Sequence, residues 1–339
     1  MTLARTLLLS ASLLVATSAA GHAAPKVVAS IKPVHSLVAS VMQGVAEPQL
    51  IIEGAGSPHT YSLRPSQARA LQEADLIFWI GHELEAFLEK PVETIGTGAK
   101  SVELIDAHGL VKLPFREGGA FEGHDHGEHG GEHGHADHDE DKHDDHAGHD
   151  HDETHGHDDG HGHAHGAFDA HIWLDPENAK AMVMEIAEAL SAADPDNAAA
   201  YEANAAKTVE RIETMRTDID ARLAPLRGKG FIVFHDGYQY FEKRFGVTAS
   251  GSITVSPEVM PGAERVTEIK ARIGELGATC VFAEPQFEPK LIQVVTEGTD
   301  ARSGVLDPLG AELADGPDLY FGLIDGLASS MEQCLGSNG

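Results

Sequence analysis

Short apolar runs alternate along most of the chain with stretches of helical period. The runs at Val27–Ile31, Gln49–Ile52, Leu76–Ile80, Ser101–Leu104, Phe231–Phe234, Ser252–Val255, Thr279–Phe282 and Gly304–Leu306 predict β-strands. Between them, apolar positions recur every three or four residues. That spacing predicts helices at Val34–Val45, Pro65–Glu73, Leu84–Lys90, Pro176–Ala193, Ala263–Leu276 and Pro289–Thr296. Pro65 and Pro176 fit the first helical position, where the missing N–H costs nothing. Strands alternating with helices make this an α/β fold.

One stretch is longer than the rest. From Pro195 to Leu223 the sequence is uninterrupted helix formers, with Tyr201, Ala205, Val209, Ile212, Met215, Ile219 and Leu223 at helical spacing. Such a helix is roughly 40 Å long. From pattern alone it is either a rigid connector between two α/β halves or an amphipathic helix packed along one of them.

The amino terminus is patterned differently. Arg5, the apolar stretch Leu7–Val15 and the small residues around Ser18–Ala23 predict a cleaved export signal. The apolar part is too short for a membrane span, which needs roughly 20 residues. An N-terminal anchor helix is the alternative. No cysteine stands near the cleavage region, so a free, periplasmic protein is expected rather than a lipid-anchored one. Cys280 and Cys334 in an exported chain predict a disulfide.

Between Arg116 and Phe168 apolar residues nearly vanish and His, Asp, Glu and Gly take over. Nothing there offsets the entropy of ordering, so a disordered loop over 117–167 is expected. Fifteen of the 22 histidines lie in it: His124, His126, His129, His133, His135, His138, His143, His146, His149, His151, His155, His157, His161, His163 and His165. Imidazoles and carboxylates at such spacing form many overlapping weak metal sites. The formal net charge is −30, about half of it in this insert, which argues against nucleic acid and anionic membranes as partners.

Outside the insert, three histidines have informative settings. His59 follows a predicted strand in Ser-Pro-His-Thr-Tyr, His171 follows the insert in Asp-Ala-His-Ile-Trp, and His235 ends a strand in Phe-His-Asp-Gly. Open α/β sheets bind ligands at the carboxyl ends of strands, where His59 and His235 fall. His35, His82 and His108 read as structural or surface residues, with a peripheral metal contact open for His82.

The segments GSPHTYSLRPS (56–66), AHIWLDPEN (170–178), FIVFHDGYQYFEKRFG (231–246), FAEPQFEP (282–289) and VLDPLG (305–310) together resemble the cluster A-I metal-binding proteins of ABC transporters, in particular their His-loop zinc-uptake branch. The resemblance covers nearly all of the chain beyond the signal. It implies two Rossmann-like α/β lobes joined by one long rigid helix, which favours the connector reading, with metal in the cleft between lobes. The implied division is a signal peptide at 1–23, an N-terminal lobe at 24–194 carrying the loop, a connecting helix at 195–226 and a C-terminal lobe at 227–339.

The resemblance further implies metal ligation by His59, His171 and His235, with Asp307 at a fourth position that is a ligand only in some members. Some zinc members carry a glutamate before the first histidine, where this chain has Pro58. The fourth ligand is therefore Asp307 or water. Glu284 is expected to be a hydrogen-bond acceptor or structural, and Asp236, Tyr61 and Trp173 to shape the cleft wall. Three nitrogens favour Zn²⁺ over Mn²⁺ without excluding Cu²⁺, Ni²⁺ or Co²⁺.

The expected function is capture of Zn²⁺ as transport cargo and its delivery to an ABC membrane permease, by a monomer that is not membrane-embedded. A periplasmic zinc buffer or metallochaperone uses the same ligands. A zinc hydrolase also fits three histidines with an open position, but there is no HExxH pair to supply a base.

Overall fold

In the computed structural model, residues 23–116, 121, 168–254, 262–275, 279–287 and 290–336 are described. The expected signal (apart from residue 23) and the fifteen histidines of the insert lie outside them, as do the ends of three predicted elements, at Val255, Leu276 and Pro289.

All eight predicted strands form, with ends shifted by one or two residues. The first sheet contains β1 (Val27–Ala29), β2 (Gln49–Leu50), β3 (Leu76–Trp79) and β4 (Lys100–Glu103), all parallel, in the order β2-β1-β3-β4. The second repeats the plan with β5 (Phe231–His235), β6 (Gly251–Thr254), β7 (Cys280–Ala283) and β8 (Arg302–Val305), in the order β6-β5-β7-β8. The central strands β1, β3, β5 and β7 are covered on both faces, so their sequences are apolar without alternation, while the edge strands β2, β4 and β8 are more polar and more exposed. In β5, Phe231 and Val233 face the main core. Ile232 and Phe234 face a second cluster, which also takes in Ile269, Ile273, Leu291 and Val295.

The helices are α1 (Lys32–Val41), α2 (Pro65–Glu73), α3 (Ala86–Thr94), α4 (Pro176–Ala193), α5 (Ala198–Leu223), α6 (Gln239–Phe245), α7 (Ala263–Glu275), α8 (Lys290–Thr296) and α9 (Leu319–Leu335). The first ends four residues before the predicted Val45, because the chain turns at Gly44 with φ 81°. The third runs past the predicted stop at Lys90 and through Pro91. There the packing of Val92 and Ile95 against the core outweighs one lost hydrogen bond. Two helices were not predicted, α6 and α9. The former has only seven residues and ends at Gly246 in the left-handed region. The latter carries Gly322 and Gly326 and is apolar on most of its surface, so no amphipathic period stands out.

The long helix starts at Ala198, after a single tight turn at Pro195–Asn197. Tyr201, Ala205, Ile212, Ile219 and Leu223 are buried as their spacing required, with Val209 and Met215 partly so. It packs against both α4 and α9, and ion pairs flank it on each side. Lys180 joins Glu213, and Arg222 joins Asp325 and Glu332. The C-terminal segment also returns to α1: Lys32 Nζ donates to the carbonyls of Ala311 and Leu313, and Tyr320 N–H donates to Ser36 Oγ. One continuous apolar core therefore runs from the first sheet through these helices to the inner face of the second. Cys280, opening β7, is disulfide-bonded to Cys334 near the end of α9, 54 residues on. Closing that loop stabilises by about 4 kcal/mol on the chain-entropy account.

Candidate metal centre

The crossover plan creates a crevice between β5 and β7, where successive connections leave the second sheet in opposite directions. His235 is the last residue of β5 and Glu284 the first after β7, so both side chains open into that crevice. Glu284 Oε1 accepts a hydrogen bond from His235 Nδ1 at 2.6 Å. With Nδ1 committed as a donor, Nε2 presents its lone pair to the cleft.

His171 is fixed in the same way from the other side. It stands at the turn before α4, whose N-terminus is capped by Asp175 and starts with Pro176. Asp169 Oδ1 accepts from both the backbone N–H and Nδ1 of His171, at 3.0 and 2.6 Å. Its other oxygen accepts from Gln239 Nε2 at 2.8 Å. Burial pushes the Asp169 pKa up, but His171 and the surrounding donors outweigh it and hold the carboxyl ionised, below its ordinary range. His171 Nε2 is thereby turned to within 3.2 Å of His235 Nε2.

His59 reaches the same place from the turn that follows β2. Its ring centroid lies 5.5 Å from that of His171 and 5.9 Å from that of His235. Among the described residues, these three form the one group of His, Cys, Asp or Glu side chains whose donor atoms lie within 4.8 Å of one another. His171 and His235 are buried and His59 half-buried. Burial, then the neighbouring imidazoles, drives the His59 pKa well below the ordinary histidine value, so its ring is neutral. Burial also lowers His235, but Glu284 more than compensates and its pKa ends up raised.

Gly237 closes the floor. A Cβ built there would lie 2.4 Å from His235 Nε2 and 3.0 Å from His171 Nε2, so only glycine leaves room between the two nitrogens. The remaining cavity of about 10 Å³, walled by Pro58, Trp173, Gln286 and Phe287, admits the centre of roughly one water-sized particle.

Asp307 stands apart from the group. Its Oδ1 accepts from Gln286 Nε2 and from the N–H groups of Leu309 and Gly310, and its Oδ2 from Ala311 N–H at 2.6 Å. Trp173 is a buried wall, with Nε1 donating to the Pro308 carbonyl. Tyr61 supports the His59 turn through Gln67 and Phe87 and does not line the cavity. Asp236 is paired with Arg116, which also binds Glu242. His35 bonds the Pro48 carbonyl, His82 faces Glu83 and Glu103, and His108 is on the surface near Glu185; all lie apart from the group.

The two stems of the insert are fastened together beside the site. Asp169 N–H donates to the Leu113 carbonyl, while Tyr240 OH donates to the Asp169 carbonyl and accepts from Leu113 N–H. Residues outside the insert thus hold the frame of His171. Sequence reasoning assigned no role to Asp169, Gly237 or Gln286. The DAH and HDG triplets carried a local signal for the first two, and nothing local marked the third.

Comparison with known proteins bears on this geometry. The profile of the family described as "ZnuA: Zinc-uptake complex component A periplasmic" matches residues 27–334. The chain is 54% identical over 309 residues to the "High-affinity zinc uptake system protein ZnuA" of Brucella abortus (strain 2308), covering 91% of each. It is 38% identical to the protein of the same name from Paracoccus denitrificans (strain Pd 1222), covering 98% of each. Among solved structures, "Crystal structure of ZnuA" superposes with a TM-score of 0.70 at 23% identity, over 92% of this chain and 99% of that one. A laminin-binding protein of Streptococcus agalactiae, described as having adhesin and metal-transporting activity, superposes with a TM-score of 0.68 at 20% identity, over 92% and 99%. At those identities the two structures establish the fold alone.

Proposed function

The chain belongs to the family of the periplasmic zinc-uptake complex component A, and on that premise we propose that it captures Zn²⁺ between His59, His171 and His235 and hands it to an ABC-type permease. The observation that carries this reading is the facing pair of Nε2 atoms. Both Nδ1 atoms are engaged by carboxylates, so the two Nε2 atoms face each other at 3.2 Å, an arrangement that a positive charge bound to both stabilises. Two imidazoles on one tetrahedral zinc, with Zn–N near 2.0–2.1 Å, set their nitrogens about 3.3 Å apart. The spacing present is close to that.

Charge supports the same cargo. Asp169 and Glu284 place two carboxylates behind the His171 and His235 rings, and a bound dication balances them. Carboxylate–histidine–metal chains of this kind fix the ring and raise its basicity. Nitrogen donors favour zinc over manganese, calcium and magnesium, which prefer oxygen. With Asp307 engaged by backbone amides, water takes the fourth position.

The rest of the proposal follows the sequence. Residues 1–23 direct export and are removed, lobes at 24–194 and 227–339 flank the connecting helix, and the histidines of 117–167 collect zinc near the cleft. Among the described residues no helix is long and apolar enough to cross a membrane. The family is one of uptake proteins, so the three-histidine group is assigned no catalytic turnover.

Growth under zinc limitation tests the transport role. A host strain lacking this gene should recover with the wild-type chain and fail with His235→Ala, and zinc should rescue the failure. Equal recovery by both would contradict the proposal.

A further inference from the structure

Gln286 lies on the turn after β7 and lines the cavity shared by the three imidazoles. Its Nε2 donates to Asp307 Oδ1 at 3.0 Å, and a carboxylate can only accept, which identifies the two ends of the amide. Asp307 in turn is held by the backbone N–H groups of Leu309, Gly310 and Ala311. The other end, Gln286 Oε1, is buried and has no hydrogen-bond partner among the described residues. A buried carbonyl oxygen without a donor is unfavourable and calls for one. The Nδ1 ends of His171 and His235 do not supply it, because they serve Asp169 and Glu284.

We propose that Gln286 Oε1 accepts a hydrogen bond from a water that completes the coordination of zinc, and that Asp307 acts only by orienting Gln286. This rests on the zinc-capture reading and deepens it. A zinc-bound water is a strong donor, and Gln286 lines the same cavity as the three imidazoles. An amide oxygen accepts the water's hydrogen bond without acting as a base toward it. A neutral fourth ligand also preserves the balance between the dication and the two carboxylates. Water exchanges more readily than a protein carboxylate, which suits a site that must release its cargo. Gln286 is thus a positioning residue for the fourth ligand.

The test uses the full chain loaded with less than one equivalent of Co²⁺, whose visible spectrum reports its ligands, together with zinc affinity by chelator competition. Azide displaces a bound water and leaves imidazole and carboxylate ligands in place. In the wild type azide should shift the cobalt spectrum. Gln286→Met should weaken zinc about tenfold, in the range seen for outer-shell partners, and should bind azide at lower concentration because the water is no longer held. Gln286→Asn, which keeps an amide but withdraws it by one methylene, should lie between them and serves if Gln286→Met does not fold. An azide-insensitive wild-type spectrum, or Gln286 variants matching the wild type in both zinc and azide binding, overturns the inference. Tight cobalt binding that survives His171→Ala overturns instead the zinc reading beneath it.

Discussion

Gly237→Ala adds one methyl group and should remove most of the zinc affinity. The new Cβ would stand 2.4 Å from His235 Nε2 and 3.0 Å from His171 Nε2, in the space between the two nitrogens. Ordinary contact requires His235 Nε2 to retreat by roughly 1 Å. The ring cannot swing away freely, because its Nδ1 is bonded to Glu284 at 2.6 Å and the residue is buried. Rotation sacrifices a charge-assisted hydrogen bond worth about 1.5–3 kcal/mol. At 1.4 kcal/mol per decade, that alone weakens zinc by about 10–100-fold. Loss of the facing geometry adds to it. Competition against a chelator of known affinity measures the change, with circular dichroism confirming that the metal-free fold is intact. A folded Gly237→Ala protein that binds zinc within about threefold of the wild type would refute the placement of the ion between these nitrogens.

The carboxylates behind the rings and a third buried acid give further tests. Asp169→Asn and Glu284→Gln should each cost about 10–100-fold in zinc affinity while leaving the three imidazoles present, measured by the same competition. Glu85 makes a separate, pH-dependent prediction. Its carboxylate accepts from Ser30 Oγ and from the N–H groups of Ile80 and Gly81 across the β1/β3 crevice, and burial pushes its pKa up to about 7. Below the unfolded value of 4.5 both states are protonated and the group is neutral in its effect. As pH rises from there to about 7, only the folded state keeps the proton, so stability falls; above 7 the loss is complete. The span corresponds to roughly 3 kcal/mol. Glu85→Gln should therefore gain on the wild type by about that much between pH 4.5 and 8 in urea denaturation. A constant difference would show that Glu85 is not the titrating group.

Much of the architecture was legible because its central strands are short, apolar and parallel. A run such as Leu76–Trp79 has no polar face to confuse with a helix, and its neighbours in sequence are amphipathic helices. Of the two helices that escaped, α6 is only seven residues long and α9 is buried too completely to leave a period. Leu319–Leu335 is enclosed by α1 and α5, so its sequence shows an apolar run broken by glycines rather than a stripe. At the site, His59, His171 and His235 were named from motif resemblance, and the fold gathers them. Their supports were harder to read. Glu284 lies 49 residues from His235, and Gln286 is held by Asp307, 21 residues on, so neither contact has a local pattern. Asp307 was entertained as a ligand from its motif. What a motif cannot carry is the trio of backbone amides, at Leu309, Gly310 and Ala311, that engages its oxygens.

The most direct test of the account is a calorimetric zinc titration at neutral pH on a variant lacking residues 121–166. The fastening of Leu113 to Asp169 and Tyr240 leaves the frame of His171 whole in that variant. It should retain one tight zinc site, and His59→Ala in the same background should abolish that site. Loss of all tight binding on removing residues 121–166 would contradict the account and make the protein a zinc buffer built on its histidine-rich insert.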